Sequence, residues 1–335
     1  MNTKRIISLV ASLALVLSLS VGLTGCGDKA AQDDNQGSTD GEGTKYTVGI
    51  CQLVQHEALD AATQGFIDAL NEALPGQVEF QNKNASGDSA NCSTIVNGFV
   101  SDGVDLIMAN ATPALQAAQS ATNEIPVLGT SVTEYGVALG LTDFSGTVGG
   151  NISGTSDLAP LDQQAAMIQE LFPDAKSVGL LYCSAEPNSV YQCDVIEGYL
   201  TEEGYTVARY AFTDTNDVTS VAQTAADNSD VIYIPTDNTA ASNTEAIANV
   251  LVPAGVPAIC GEEGICKGCG VATLSISYYD LGVTTGKMAA KILTGESKVE
   301  EMPIEYAPEF TKEYNPTIAE ALGITIPDDY VAYEG

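Results

Sequence analysis

From Tyr46 onward the chain alternates short apolar runs with segments whose apolar residues recur at three- and four-residue steps. Residues 47–52, 78–81, 104–109 and 126–129 predict four strands, and 177–182, 206–212, 231–234 and 257–260 predict four more. Matching strands of the two sets begin 127 to 131 residues apart, the mark of a structural repeat whose residues have diverged. Leu59, Ala62, Phe66, Leu70 and Ala73 form one helical stripe, and Leu161, Ala165, Ile168 and Phe172 another. A last long helix is predicted from its cap Asp280 to about Thr294, where Gly295 stops it. Strands joined by helices imply crossovers and parallel sheets. The expected fold class is therefore α/β, with two doubly wound, Rossmann-like halves.

In such sheets ligands sit beyond the carboxyl ends of the strands, so the strand tips hold the candidate chemistry. Asn110-Ala-Thr112-Pro113 reads as a tip with Thr112 as N-cap and Pro113 in the first helical position. The amides around Ala114 and Leu115 are then free to hold an anion such as a carboxylate. Thr236-Asp237-Asn238 is the matching tip in the second half, an acceptor pair suited to an ammonium group or to a cap. Further tips are Asn84-Ala-Ser-Gly-Asp88, Ser131-Val-Thr133-Glu134 and Ser184-Ala-Glu186-Pro-Asn188-Ser189.

The amino end changes the picture of where the chain works. Lys4-Arg5, the apolar run 6–21 and Leu23-Thr-Gly-Cys26 make a bacterial lipobox, so residues 1–25 are expected as a signal peptide and Cys26 as the lipidated terminus. The competing reading is an uncleaved membrane helix over 6–23. Residues 26–44 are polar and are expected as a flexible tether. The balance of 44 acidic against 12 basic residues, net −32, argues against nucleic acid or an anionic membrane surface as partner.

Beyond Cys26 there are seven cysteines, an odd number that excludes a complete disulfide framework within one chain. Cys266 and Cys269 resemble half of a metal knuckle, with Cys260 as a third thiol; a metal, a local disulfide and free thiols all remain open. With His56 as the lone histidine and no nucleophile or phosphate-loop motif, no catalytic constellation forms, and no cofactor is expected. Glu262-Glu263 and Asp328-Asp329 read as solvent charges.

The segments GICQLVQHEALDAATQGFIDAL, QNKNASGDSANCSTI, DLIMANATPALQAAQSAT, IPVLGTSVTE, VGLLYCSAEPNSV, VIYIPTDNTAAS and YYDLGVTTGKMAAKIL closely resemble the substrate-binding lipoproteins of ABC transporters whose named members bind tryptophan, tyrosine or phenylalanine. The resemblance implies a type I periplasmic-binding-protein fold with two lobes, three crossings and a clamshell motion. Crossings are expected within 150–155, 273–277 and 303–309, giving a first lobe of 45–152 plus 276–305 and a second of 153–275 plus 306–335. The family pocket carries over onto Gln52, Asn84, Thr112, Ser131, Glu186, Asn188, Ser189, Asp237 and Asn238. Chemistry assigns Thr112 and its neighbouring amides to a ligand carboxylate and Asp237 to its ammonium.

This sequence departs from the family pattern at Thr133-Glu134-Tyr135, at Glu57 after His56, and in the cysteines of 260–269. The implied function is an extracytoplasmic, lipid-anchored, monomeric solute receptor for an aromatic or large apolar amino acid. It would serve a permease and an ATPase that are separate chains. The alternatives are a sensor subunit for a membrane receptor, a cleft for a cationic or nucleoside solute, and a thiol or metal protein built on Cys260, Cys266 and Cys269. The chain has no tryptophan, so stacking on an aromatic ligand would fall to Tyr135, Tyr182 or Tyr278.

Overall fold

The computed structural model describes residues 45–333; the leader, Cys26 and the tether lie outside the described residues. The first half runs β1 (Tyr46–Gln52), α1 (Glu57–Ala73), β2 (Val78–Asn84), α2 (Ser89–Asp102), β3 (Leu106–Asn110), α3 (Thr112–Ala121), β4 (Val127–Val132), α4 (Tyr135–Leu139) and β5 (Ile152–Ser156). The second half follows with α5 (Leu161–Leu171), β6 (Ser177–Cys183), α6 (Pro187–Glu202), β7 (Thr206–Phe212), α7 (Val218–Ala226) and β8 (Val231–Ile234). It continues through α8 (Asn238–Ala241), α9 (Thr244–Ala254), β9 (Ala258–Cys260), α10 (Glu263–Cys269) and β10 (Ala272–Ser275). Then come α11 (Tyr278–Leu293), β11 (Glu305–Tyr306), β12 (Thr311–Tyr314), α12 (Pro316–Leu322) and β13 (Val331–Ala332).

The strands build two sheets, ordered β11-β5-β4-β3-β1-β2 and β13-β12-β10-β9-β8-β6-β7. Each contains the same doubly wound core, 2-1-3-4-5 in the first and 7-6-8-9-10 in the second, so the repeat read from strand spacing is a repeat of topology. Alternation along each strand feeds two cores. Val48 and Ile50 of β1 face Phe66, Leu70 and Met288, whereas Cys51 faces the Phe99 side. In the second sheet Leu180 and Tyr182 pack with Ile168 and Ile196, and Leu181 and Cys183 with Ala222 and Ile247. Strands buried on both faces read as continuous apolar runs, which is why these were legible.

The chain passes between the sheets at residues 157–160, 276–277 and 307–310. The first passage lies beyond the expected 150–155, because residues 153–156 belong to β5, paired with β4 and β11 in the first sheet. Its sequence, Ile-Ser-Gly-Thr-Ser, carries no apolar run, and its buried hydroxyls are satisfied internally. Ser153 Oγ donates to the Met302 carbonyl at 3.0 Å, and Thr155 Oγ1 lies 2.8 Å from Thr285 Oγ1. No helix among the described residues is long and apolar enough to cross a membrane.

After the second passage α11 returns to lie along α1 in the first lobe. The two helices approach through glycine: a Cβ on Gly282 would sit 2.0 Å from the Ala62 carbonyl oxygen, and one on Gly65 2.1 Å from that of Tyr279. Backbone cannot yield as a flexible side chain would. Gly282→Ala is therefore expected to cost about 1–3 kcal/mol of stability, the usual range for overpacking. It should appear as a lower midpoint in urea at unchanged slope; an unaltered midpoint would contradict the close approach.

Candidate functional site

In a doubly wound sheet the crevice opens where the strand order reverses, here between β1 and β3 and between β6 and β8. The chain leaving β1 and β4 faces the chain leaving β6, β8 and β9 across a narrow cavity with about 270 Å³ of empty space. His56, Leu59, Ser131 and Thr133 line it from the first lobe, and Asn188, Thr236, Asp237, Asn238, Ala241 and Glu262 from the second. Asp157 and Tyr278, at two of the passages between lobes, complete the wall. An outer chamber with about 710 Å³ of empty space, lined by Val54, Ser86, Pro113, Ala185, Thr213 and Thr215 among others, shares Asn238 with the cavity.

The cavity is rich in acid. Asp157, Asp237 and Glu262 are buried on its wall, and no lysine or arginine lines it. Burial pushes Asp157 from an ordinary 3.8 to about 6, although the nearby Thr133 hydroxyl and the hydrogen bond from Tyr278 pull the other way. Burial likewise pushes Glu262 from 4.5 to about 7 against the amides of Gly264 and Ile265. Asp237 is raised by burial and then by the charge of Glu186. His56 is lowered, burial outweighing its bond to Asn238 and the nearby carboxylates.

Buried polar atoms are nearly always paired, so unpaired ones point to what a site receives. Among the described residues seven such side-chain atoms lack a partner, and four belong to this cavity wall: His56 Nδ1, Ser131 Oγ, Asp157 Oδ1 and Asn188 Oδ1. Backbone strain falls beside them. Ser131 has φ 53° and Ala111 has φ 88°, the latter in a region kept almost entirely for glycine. Ala111, not Thr112, is the N-cap of α3, because this strained turn carries the chain straight into the helix; Thr112 is its first helical residue.

The structure brings four of the nine candidate residues onto the cavity wall: Ser131, Asn188, Asp237 and Asn238. Asp237 is the N-cap of α8, accepting Ala240 N–H at 2.8 Å, and its other oxygen accepts Cys183 N–H at 2.6 Å. Glu186 sits just behind, with both oxygens taken by Asn238, Thr239 and Asn188, and lines the outer chamber instead. Ser189 is buried beside Asn188. Gln52 is turned into the first lobe, bonded to Asp60, Thr63 and the Val54 carbonyl. Asn84 closes an exposed turn on Ser86 N–H, and Thr112 is buried away from the wall.

His56, Thr133, Asp157, Thr236, Glu262 and Tyr278 were outside the nine pocket candidates, although Thr133 and Thr236 stood in named strand tips and Tyr278 was considered for stacking; Asp157 alone was not singled out at all. Glu262 is not a solvent charge: it is 2 % exposed and caps α10 by accepting from Gly264 and Ile265. Asp329, by contrast, is an exposed charge, 2.9 Å from Lys312. Of the three tyrosines considered for stacking only Tyr278 reaches the cavity, its hydroxyl donating to Asp157 at 3.0 Å. Tyr135 is buried in the first lobe, donating to the Thr155 carbonyl, and Tyr182 in the core of the second. The seven cysteines of the described residues are buried and unpaired, and no cluster among those residues has metal-site geometry.

A two-lobed fold of this topology with a polar, enclosed cleft at the strand switch points has a counterpart among known proteins. The family described as ABC transporter substrate binding protein matches residues 47–334. The chain belongs to this family. It is 36% identical over 312 residues to a tyrosine-binding protein of Clostridioides difficile, covering 90% of this chain and 88% of that one. Two solved relatives have comparable identity. One is an ABC domain in complex with L-Trp from Streptococcus pneumoniae: 33% identity, 85% of this chain and 97% of that chain, TM-score 0.81. The other is the ligand-free, open structure of a substrate-binding protein with adhesive properties from Clostridium difficile: 35% identity, 86% and 99% coverage, TM-score 0.66. The family is one of solute-binding proteins and not of enzymes.

The uncompensated acids give this substrate-binding protein a pH signature. A carboxyl whose pKa is higher folded than unfolded takes up a proton on folding, so its contribution to stability is lost as pH rises through that window. For Asp157 the window runs from 3.8 to about 6. Asp157→Asn is therefore expected to gain stability relative to the wild type as pH rises from about 4 to 7, read as the gap between their ligand-free melting temperatures. A difference, melting temperature of the variant minus that of the wild type, that stays constant or falls over that range would show that Asp157 is not held uncompensated.

Proposed function

We propose that the chain is the extracytoplasmic, lipid-anchored receptor of an ABC importer and binds an amino acid in the cavity between its lobes. The carrying observation is the pairing of uncompensated acid with orphaned hydrogen-bonding atoms on one enclosed wall. The ligand's ammonium meets Asp157 Oδ1 and Asn188 Oδ1, both acceptors without partners. Its carboxylate turns to Ser131 Oγ, which is buried on the same wall without a partner. This replaces Asp237 by Asp157 as the ammonium anchor, since each Asp237 oxygen already holds a backbone N–H. It also moves the carboxylate away from Thr112 and α3.

The cargo is an aromatic amino acid in this reading, supported by the tyrosine-binding and L-Trp-bound relatives. The lobe arrangement supports it too: at almost equal identity, this chain superposes better on the L-Trp complex than on the open, ligand-free relative. Closing brings Lys267 of the second lobe against Glu57 of the first, while it also pairs with Glu263 at 2.5 Å. Ligand then shifts the equilibrium toward the closed form. That form hands its cargo to permease and ATPase chains separate from this one; the receptor works as a monomer tethered through Cys26.

The test is a thermal-shift screen of the full chain against the amino acids, polyamines and nucleosides. A ligand at a hundred times its dissociation constant adds about 2.7 kcal/mol. L-Tyrosine or L-tryptophan is expected to raise the melting temperature. Asp157→Asn is expected to weaken that binding by about 2–5 kcal/mol, as removing one partner of a buried charge pair does. Asn84→Ala should leave it within about twofold, the turn being outside the cavity. Stabilisation by a polyamine or nucleoside with none by any amino acid would overturn the cargo and leave the fold untouched.

A further inference from the structure

We propose that His56 selects cargo by the donor on its side chain: its Nδ1 accepts a hydrogen bond from a phenol or indole group, favouring tyrosine and tryptophan over phenylalanine. The inference rests on the amino acid reading and deepens it. It starts at Glu186, whose carboxylate oxygens can only accept. Asn238 donates to that carboxylate twice, from its backbone N–H at 3.0 Å and from Nδ2 at 2.7 Å. With Nδ2 committed, Asn238 Oδ1 is the atom that faces His56, 3.3 Å from Nε2. An amide oxygen is an acceptor only, so Nε2 carries the hydrogen.

In a neutral imidazole the other nitrogen is then a bare lone pair. Burial favours the neutral ring here. Nδ1 is buried without a partner on the cavity wall, so the site presents an acceptor that only a donor satisfies. Asp157 holds Tyr278 at the passages between lobes, whereas His56 is bonded to Asn238, the residue shared with the outer chamber. With the ammonium at the Asp157 end, the side chain meets His56. Glu186 and Asn238 are positioning residues that fix the tautomer.

A ligand that lacks the donor leaves Nδ1 unpaired, and a site built around such a bond rejects the analogue strongly. Isothermal titration of the full chain with L-tyrosine, L-tryptophan and L-phenylalanine is expected to show at least tenfold tighter binding of the first two. In His56→Phe the ratio should fall to within about threefold. Nitrogen-15 spectra of the tyrosine-bound wild type should show Nε2 protonated and Nδ1 not, and Glu186→Gln should mix the two tautomers. Equal binding of all three ligands by the wild type sinks the proposal but leaves the amino acid receptor standing. So does a ratio preserved in His56→Phe, or an Nδ1–H tautomer, which is read on the wild type whether or not the variant folds. Binding of none of the three overturns both.

Discussion

Three carboxyl groups share one buried wall without a lysine or arginine to answer them, and the rest of the site is arranged around that imbalance. A buried charge without a partner costs several kcal/mol, and the protein meets the cost unevenly. Asp237 and Glu262 are each turned into helix caps, their oxygens filled by backbone N–H groups. Asp157 keeps one oxygen on Tyr278 and leaves the other open. The two caps hold the walls rigid, and the open oxygen is where an incoming cation is most strongly favoured. The wall is assembled from both lobes and the passages between them, so under the proposed function binding and closure are one event.

The parts of this design that were legible from sequence are those built on apolar runs. Strands such as β7 and β8 read correctly to the residue, since their apolar or β-branched stretches are bounded by clear turns. The strand spacing gave away the doubled topology. What hid was made of small polar residues or of strands two to four residues long: β5, whose serine and threonine hydroxyls find partners inside the fold, and β10 to β13. The same blindness affected the site. Asp157 directly follows β5 and could not be placed while that strand was unseen, and Tyr278 was named only as a ring to stack, not as the partner of that carboxylate.

Candidate residues at strand tips fared according to what each tip does. Where the sheet order reverses, tips open on the cavity, and Ser131, Asn188, Asp237 and Asn238 stand on or next to those turns. Asn84 ends β2, the edge strand beside β1, and its exposed side chain merely closes its own turn. Glu262 was misread for a related reason: adjacent acidic residues look alike in a sequence, but the first caps a buried helix and the second pairs with Lys267 at the surface. His56 gave one usable signal, standing in the loop after β1 at the same place in the first half that Ser184–Glu186 occupy in the second.

The close seam between α1 and α11 has a consequence for how the molecule comes to exist. The glycines that let the two helices touch lie on either side of β6 to β10 of the second lobe, so α1 is made long before the surface that covers it. Phe66 and Leu70 share their core with Met288. On a chain emerging from its amino end, that stripe waits uncovered while the second lobe is synthesised. The first lobe to begin is therefore completed only after most of the second has been made. A chain cut short before residue 278 would lack both the helix that covers α1 and Tyr278, the hydroxyl that holds Asp157.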